Sequence, residues 1–246
     1  MIVRAIKTRK VTAKSCTLQE LLDESIVGLK EGSVVAIASK VVSLCEGRTA
    51  PLEADRDGLI AGEAQLYLPG SLSPYGVSLS VARNMLVWGA GIDDSNSGEC
   101  QTLWPSDPQA SANQARAFLR NKFGLKKLGV IFTDSSIRPL QWGTTGISIA
   151  YSGFEPLHNY VGGKDLFGRT FDYHTNNIQN GLAAAASVVG GEGDEQTPVV
   201  ILEDLDFVKF VDSDPTSEEL ESLRIDPESD AYSPLFKDVP WLKGRG

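Results

Sequence analysis

Three acids each close an apolar run: Asp93 after "LVWGAGI", Asp134 after "GVIFT" and Glu192 after "AAASVVGG". Carboxylates brought from several loops to one place supply the few hard oxygen ligands that Mg²⁺ or Mn²⁺ takes, and such ions usually serve phosphate-bearing substrates. Lys40, Arg48, Arg138, Lys164 and Arg169 are the cations close to these clusters in sequence. They are suited to holding anions, arginine in particular because its planar fork grips carboxylate or phosphate with two bonds. Each cluster alone also has a plainer reading. Asp93 and Asp94 fit a turn, Asp134 a helix cap, Gly190 and Gly191 a helix end, and Glu192 a surface acid.

Other chemistries lack their signatures. The chain has no G-x-x-x-x-G-K-[ST], no G-x-G-x-x-G, no H-E-x-x-H, no C-x-x-C and no G-x-S-x-G, so P-loop, dinucleotide, zincin and serine-hydrolase readings have no support. His158 and His174 have no partner at a telling spacing. Cys16, Cys45 and Cys100 are far apart and odd in number, which reads as reduced structural thiols.

The elements that must position these residues alternate between helix and strand. "CTLQELLDESIVGLKEGS" reads as a helix, with Thr17 and Glu20 at capping-box spacing and an apolar stripe from Leu18 to Leu29. "SVVAIASKVVS" reads as a buried strand passing into a polar turn. A helix follows Ser106 or Asp107 and stops at Gly124. "LGVIFTDSS", "GISIAYSG" and "TPVVILED" read as strands, and "FDYHTNNIQNGLAAAASVVGG" as an alanine-rich helix. The loops are long and irregular, so the expectation is α+β, a mixed α/β fold, rather than a regular doubly wound sheet. The polar clusters then fall at strand ends, where a rigid element holds a side chain facing a crevice.

At 246 residues and 41% hydrophobic the chain can bury a substantial core. No apolar run reaches the ~18 residues of a membrane helix, and the N-terminus lacks a signal core, so the expectation is a cytoplasmic protein with no membrane partner. The net charge of −9 argues against nucleic acid. Most of that charge is local: from Glu203 onward there are 12 acids and 5 bases, a balance of −7. Residues 205–246 therefore read as an acidic arm, extended or partly disordered, whose aromatic end docks on the body or a second subunit.

In order and wording, "ASKVVSLCEGR", "GAGIDDSNSG", "FTDSSIRPLQWGTTGISIAYSG" and "EPLHNYVGGKDLFGRTF", followed by the alanine-rich helix and "GGE…TPVVIL", resemble the coenzyme F-420-0:gamma-glutamyl ligase family, the CofE-like ligases. The resemblance is collinear over residues 1–204. It implies that family's mixed α/β fold, in one domain of two subdomains, as an intertwined homodimer. It implies GTP-dependent formation of a γ-glutamyl amide between L-glutamate and a carboxylate of an F-420-0-like or folate-like acceptor through an acyl phosphate. Carried over by position, it implies divalent Mg or Mn on Asp93, Asp134, Ser135 and Glu192, with a monovalent cation as a further ion. Ser39, Lys40 and Asn96 would contact the nucleotide. Asp134, Arg138, Lys164 and Arg169 would form the catalytic set.

Three departures lie in the parts expected to touch nucleotide or acceptor. Leu44 replaces a lysine, Gln141 an arginine with Ile137 in place of a glycine, and Asn159 and Val161 an aspartate and an arginine. They motivate two rivals: the same chemistry on a folate or other pterin tail, and a nucleotide-binding protein without ligase activity.

Overall fold

The structure is a computed structural model and describes residues 1–246. In chain order the elements are β1 (Ile2–Ile6), α1 (Leu18–Ser25), β2 (Ser33–Ala38), α2 (Ser39–Glu46), β3 (Thr49–Pro51), α3 (Arg56–Glu63), β4 (Leu66–Leu68), β5 (Leu79–Ala82), β6 (Met85–Trp88), β7 (Cys100–Thr102), α4 (Pro108–Phe123), β8 (Leu128–Ile137), β9 (Thr144–Ser152), β10 (Leu157–Asn159), β11 (Thr175–Asn177), α5 (Ile178–Gly190), β12 (Val199–Glu203), α6 (Ser217–Ser222), α7 (Ser233–Phe236) and β13 (Leu242–Lys243). The α+β expectation is met.

A five-stranded sheet in the order β1-β12-β2-β8-β9 forms the centre. Only β2 and β8 run parallel; the other neighbours are antiparallel. Its inner strands are apolar on both faces, as a sheet covered by helices on both sides requires. Alternate residues divide between two cores. Val35, Ile37, Val130, Phe132, Val199 and Ile201 pack with Leu21 and Leu22 of α1, Val42 of α2 and Leu119 of α4. Val34, Ala36, Ile131, Val200 and Leu202 pack with Leu182, Ala183 and Ala186 of α5. Each fully buried Leu, Ile or Phe here contributes about 1.5–3 kcal/mol by leaving water. A smaller unit, the four-stranded sheet β13-β4-β5-β6 with α3, closes its own core around Ile60, Val87, Ile92 and Trp104.

Local signals explain most boundaries. Thr17 and Glu20 form the anticipated capping box on α1. That helix ends at Ser25, earlier than the apolar stripe suggests, because Ile26 turns to extended backbone ahead of Val27 and Gly28. Asp107 accepts from Ala110 N–H to start α4, and Gly124 ends it at φ 67°. Two expectations are corrected. "SKVVSLCE" is helix α2, not a turn: β2 ends at Ala38 and Ser39 is already helical. The alanine-rich helix starts only at Ile178, capped by Asn177, and Thr175–Asn177 is strand β11 of a hairpin with β10.

The acidic arm is ordered against the body. Arg116 of α4, only 3% exposed, donates to Leu128 O, to Asp214 Oδ1 at 2.9 Å and to the carbonyls of Val211 and Asp212. Ser152 also donates to Asp214. At the far end of the arm, β13 pairs with β4. No helix is long and apolar enough to cross a membrane.

Candidate functional site

A cavity of about 830 Å³ opens beyond the C-terminal ends of β2 and β8, the parallel pair. Ligands in open α/β sheets bind at this position, and the volume lies in the usual small-molecule range of roughly 300–1,000 Å³. The chain reaches it in a few ways. β2 passes straight into α2, so Ser39 and Lys40 occupy the first turn of that helix at the cavity wall. β8 runs on past a bulge between Phe132 and Thr133, which carries Asp134 and Ser135 to the cavity. The small unit contributes Asp93, Ser95 and Asn96, with Tyr75, Val77 and Trp88 as an apolar flank, and the loop after α5 contributes Glu192.

Asp93 is fixed by its backbone and accepts three bonds on its side chain. Its N–H and C=O pair with Thr102. Lys40 Nζ donates to Asp93 Oδ2 at 2.6 Å, to Ser95 O at 2.5 Å and to Ser95 Oγ at 2.8 Å. Ser95 donates its N–H to Asp93 Oδ1 and its hydroxyl to Oδ2. Burial pushes the Asp93 carboxyl up, but the Lys40 and Ser95 bonds outweigh it and hold the group below the usual carboxylate range.

Asp134 has the opposite balance. Trp104 Nε1 donates to its Oδ2 at 2.5 Å and Ser135 N–H to its Oδ1 at 2.9 Å. Burial still dominates, the Asp93 charge adds to it, and the carboxyl is pushed up to about 6. Two carboxylates in one cavity, one held low and one pushed high, make this a candidate functional site. Above Asp134, Ser135 Oγ donates to Glu192 Oε1 at 2.6 Å, and Asn96 Nδ2 donates to Gly193 O at 2.8 Å. These bonds draw the loop after α5 down over the cavity.

The donor set fits a hard divalent ion. Asp93, Asp134 and the hydroxyls of Ser95 and Ser135 offer only oxygen. No three His, Cys, Asp or Glu side chains converge tightly enough to cage an ion alone. Mg²⁺-type ions are commonly held by one or two carboxylates, with waters and substrate phosphates completing the shell.

Seven of the proposed ion-binding, nucleotide-binding and catalytic residues line this cavity, Ser39, Lys40, Asp93, Asn96, Asp134, Ser135 and Glu192, and Ile137 lines it with them. Arg138, Lys164 and Arg169 do not line it and are exposed on the β8–β9 connection and the β10–β11 hairpin. Arg48 is used structurally, in a two-bond pair with Glu63. Leu44 is 1% exposed, packed in the main core where that core borders the cavity. Trp104 and Ser95 carry much of the site's geometry and were not anticipated. The signal for Trp104 was its own chemistry: a buried indole N–H needs an acceptor.

The comparisons with known proteins decide the family. A sequence model of the family described as F420-0:Gamma-glutamyl ligase matches residues 5–204. The chain belongs to the F420-0:gamma-glutamyl ligase family. It is 35% identical over 207 residues to the coenzyme F420:L-glutamate ligase of Methanopyrus kandleri, covering 76% of this chain and 81% of that relative. The corresponding protein of Halorubrum lacusprofundi is 34% identical over 227 residues, 83% of this chain and 87% of the relative. That of Methanothermobacter thermautotrophicus is 32% identical over 198 residues, 74% and 78%. The family match spans every cavity residue named above, so the site is built from the part of the chain shared with these ligases.

Proposed function

We propose that this protein is a GTP- and divalent-metal-dependent ligase that joins L-glutamate, through its amino group, to a carboxylate of an F420-0-type acceptor. The observation that carries the proposal is the meeting of Asp93 and Asp134 in one cavity beyond the parallel strands, beside Lys40, in a chain of the glutamyl ligase family.

A carboxylate is a poor acyl donor at neutral pH. Transfer of the γ-phosphoryl group of GTP to the acceptor carboxylate leaves GDP and an acyl phosphate. The glutamate amine then attacks the acyl carbon, phosphate departs, and the nitrogen loses a proton to leave an amide. A bound Mg²⁺ or Mn²⁺ would supply neutralisation of phosphate charge as two anions approach. Asp93 and Asp134, with Ser135 and Glu192 above them, would hold that ion. Ser39 and Asn96 would position the nucleotide, and Lys40 would bind a phosphate. The apolar flank of Tyr75, Val77 and Trp88 offers the acceptor a surface on the same cavity.

Arg138, Lys164 and Arg169 are assigned to anionic substrate groups through a second copy of the chain. They sit on hairpins that also expose Leu140, Trp142, Leu166 and Phe167 almost completely. Apolar side chains so placed on a protruding element are suited to a partner surface, and a homodimer would bring the cations to a cavity. The protein is placed in the cytoplasm, where GTP and cofactor precursors are made.

The test is incubation of the purified protein with GTP, glutamate and MnCl₂, with either F420-0 or a folate as acceptor, followed by mass spectrometry. The expected product is F420-0 heavier by one glutamyl residue. Transfer to folate alone would move the acceptor class. Tight GTP binding with no glutamate-dependent phosphate release would favour a non-catalytic binder. Asp134→Ala should cut turnover by about a hundredfold or more, the scale of losing a main electrostatic contributor. Full turnover in that variant would sink the assignment.

A further inference from the structure

The Lys40 ammonium has three N–H bonds to give. It spends them on Asp93 Oδ2, Ser95 O and Ser95 Oγ. Asp93 Oδ2 accepts from both Lys40 and Ser95 Oγ, while Oδ1 accepts from Ser95 N–H. In this arrangement Lys40 has no donor left for a phosphate, and Asp93 Oδ2 has no lone pair left for a metal ion, while Oδ1 with its single bond keeps one. Phosphate binding by Lys40 and ion binding by Asp93 Oδ2 are therefore both blocked until their bond breaks.

We propose that Lys40 is a placeholder cation. It neutralises Asp93 while the cavity is empty, and it is released toward the nucleotide phosphates when a divalent ion takes its place. This rests on the reading of Asp93 as an ion ligand. The Lys40 side chain is 24% exposed and that of Asp93 47%, so the pair is partly sheltered, and charges interact more strongly there than in open water. Exposed pairs, by contrast, contribute little. An ion arriving alone must displace the ammonium and leave it unpaired. An ion arriving with a triphosphate gives the ammonium a new partner. Each ligand thus assists the other through Lys40 as well as through their direct contact, and the coupling is reciprocal.

Arg56 provides the control. It lies beside the same loop, donating to Ile92 O at 2.7 Å and pairing with Asp94 at 3.5 Å, with no bond to Asp93. Removing it lowers the local positive charge without freeing Asp93.

The experiment is isothermal titration of MnCl₂ into nucleotide-free wild-type, Lys40→Met, Lys40→Gln and Arg56→Met proteins, then of GTP with MnCl₂ saturating. Lys40→Met should tighten Mn²⁺ binding by about tenfold, the scale of one partly buried charge contact. Arg56→Met should tighten it far less. Lys40→Met should also weaken GTP binding by about tenfold. Lys40→Gln, which keeps a donor for Ser95 O, should change both affinities in the same directions and replaces Lys40→Met if that variant does not fold. Equal Mn²⁺ affinity in wild type and the Lys40 variants, or an equal gain from Arg56→Met, overturns the placeholder role and leaves the metal reading intact. Absence of Mn²⁺ binding in all four proteins overturns both.

Discussion

The indole N–H of Trp104 donates to Asp134 Oδ2 at 2.5 Å, and the Trp104 ring fills the space that a Cβ on Gly91 would need, 2.2 Å from its nearest atom. Gly91 belongs to "GAGIDD", the stretch that also delivers Asp93. One glycine therefore sets the ring that holds one acid, two residues before the other acid.

Trp104→Phe keeps the ring packing and removes the donor. The Trp104 bond opposes the burial that pushes Asp134 up to about 6, so its loss should carry the carboxyl higher still. The acidic limb of Mn²⁺ binding by the metal-free protein should move to higher pH, read by titration calorimetry at a series of pH values. An unmoved limb would mean that Asp134 does not govern it.

Gly91→Ala combines a left-handed backbone, φ 75°, with the collision against Trp104. Strain of this kind costs on the order of 2 kcal/mol. The urea midpoint should fall, and Trp104 fluorescence should shift as the ring is displaced. Gly98, also at positive φ but with open space around it, should tolerate alanine with a smaller loss.

Asp134 makes stability depend on pH in a direction unusual for a carboxylate. Its pKa is raised on folding, from 3.8 to about 6, so between those values the folded chain binds more protons than the unfolded one. Stability then falls as pH rises through that window, and the cost is fully present above about 6. Asp134→Asn should raise the melting temperature of metal-free protein at pH 8, and the gain should vanish as the pH approaches 4. Calorimetry across this range checks both parts; a constant gain would place its origin elsewhere.

Arg116→Met leaves the arm without its buried anchor. The guanidinium makes four hydrogen bonds to the β8 and arm segments, the one to the carboxylate of Asp214 among them. Hydrogen bonds to a charged group are worth about 1.5–3 kcal/mol each in favourable cases, so a loss of roughly 3 kcal/mol is expected. Limited proteolysis should open new cuts between Val211 and Thr216. An unchanged digest would show that the other ties, the Phe154–Phe210 bridge, Arg120–Asp212 and β13, hold the arm without Arg116.

Strands and most helix ends were legible in the sequence because each carried a local cause. β2, β8 and β12 are β-branched runs, Thr17 and Asp107 supply caps, and Gly124 supplies a stop. The start of α2 was not legible, since Ala38 makes no side-chain cap bond and valines follow it. Tertiary packing of Val42 and Leu44 decides it. At the site, the acids could be picked out because each ends an apolar run. Their partners could not: Lys40 lies 53 residues from Asp93, and Trp104 lies 30 from Asp134. Such pairings depend on where the two units of the fold meet. Arg138, Lys164 and Arg169 show the converse, since proximity in sequence to the acids did not bring them to the cavity of the same chain.

The arm has a mechanical consequence. Its root is bolted to the large sheet through Arg116, and its last strand is woven into the small sheet beside β4. The cavity draws walls from both units. The two units are also joined by the chain segments entering near Arg48 and leaving near Trp104. The arm adds a tie at the outside of the cavity to the Lys40–Asp93, Trp104–Asp134 and Asn96–Gly193 bonds that cross it. Asp93 on one jaw and Asp134 on the other are thus each pinned by a bond to the opposite jaw, like the two arms of a caliper, before anything enters to be measured.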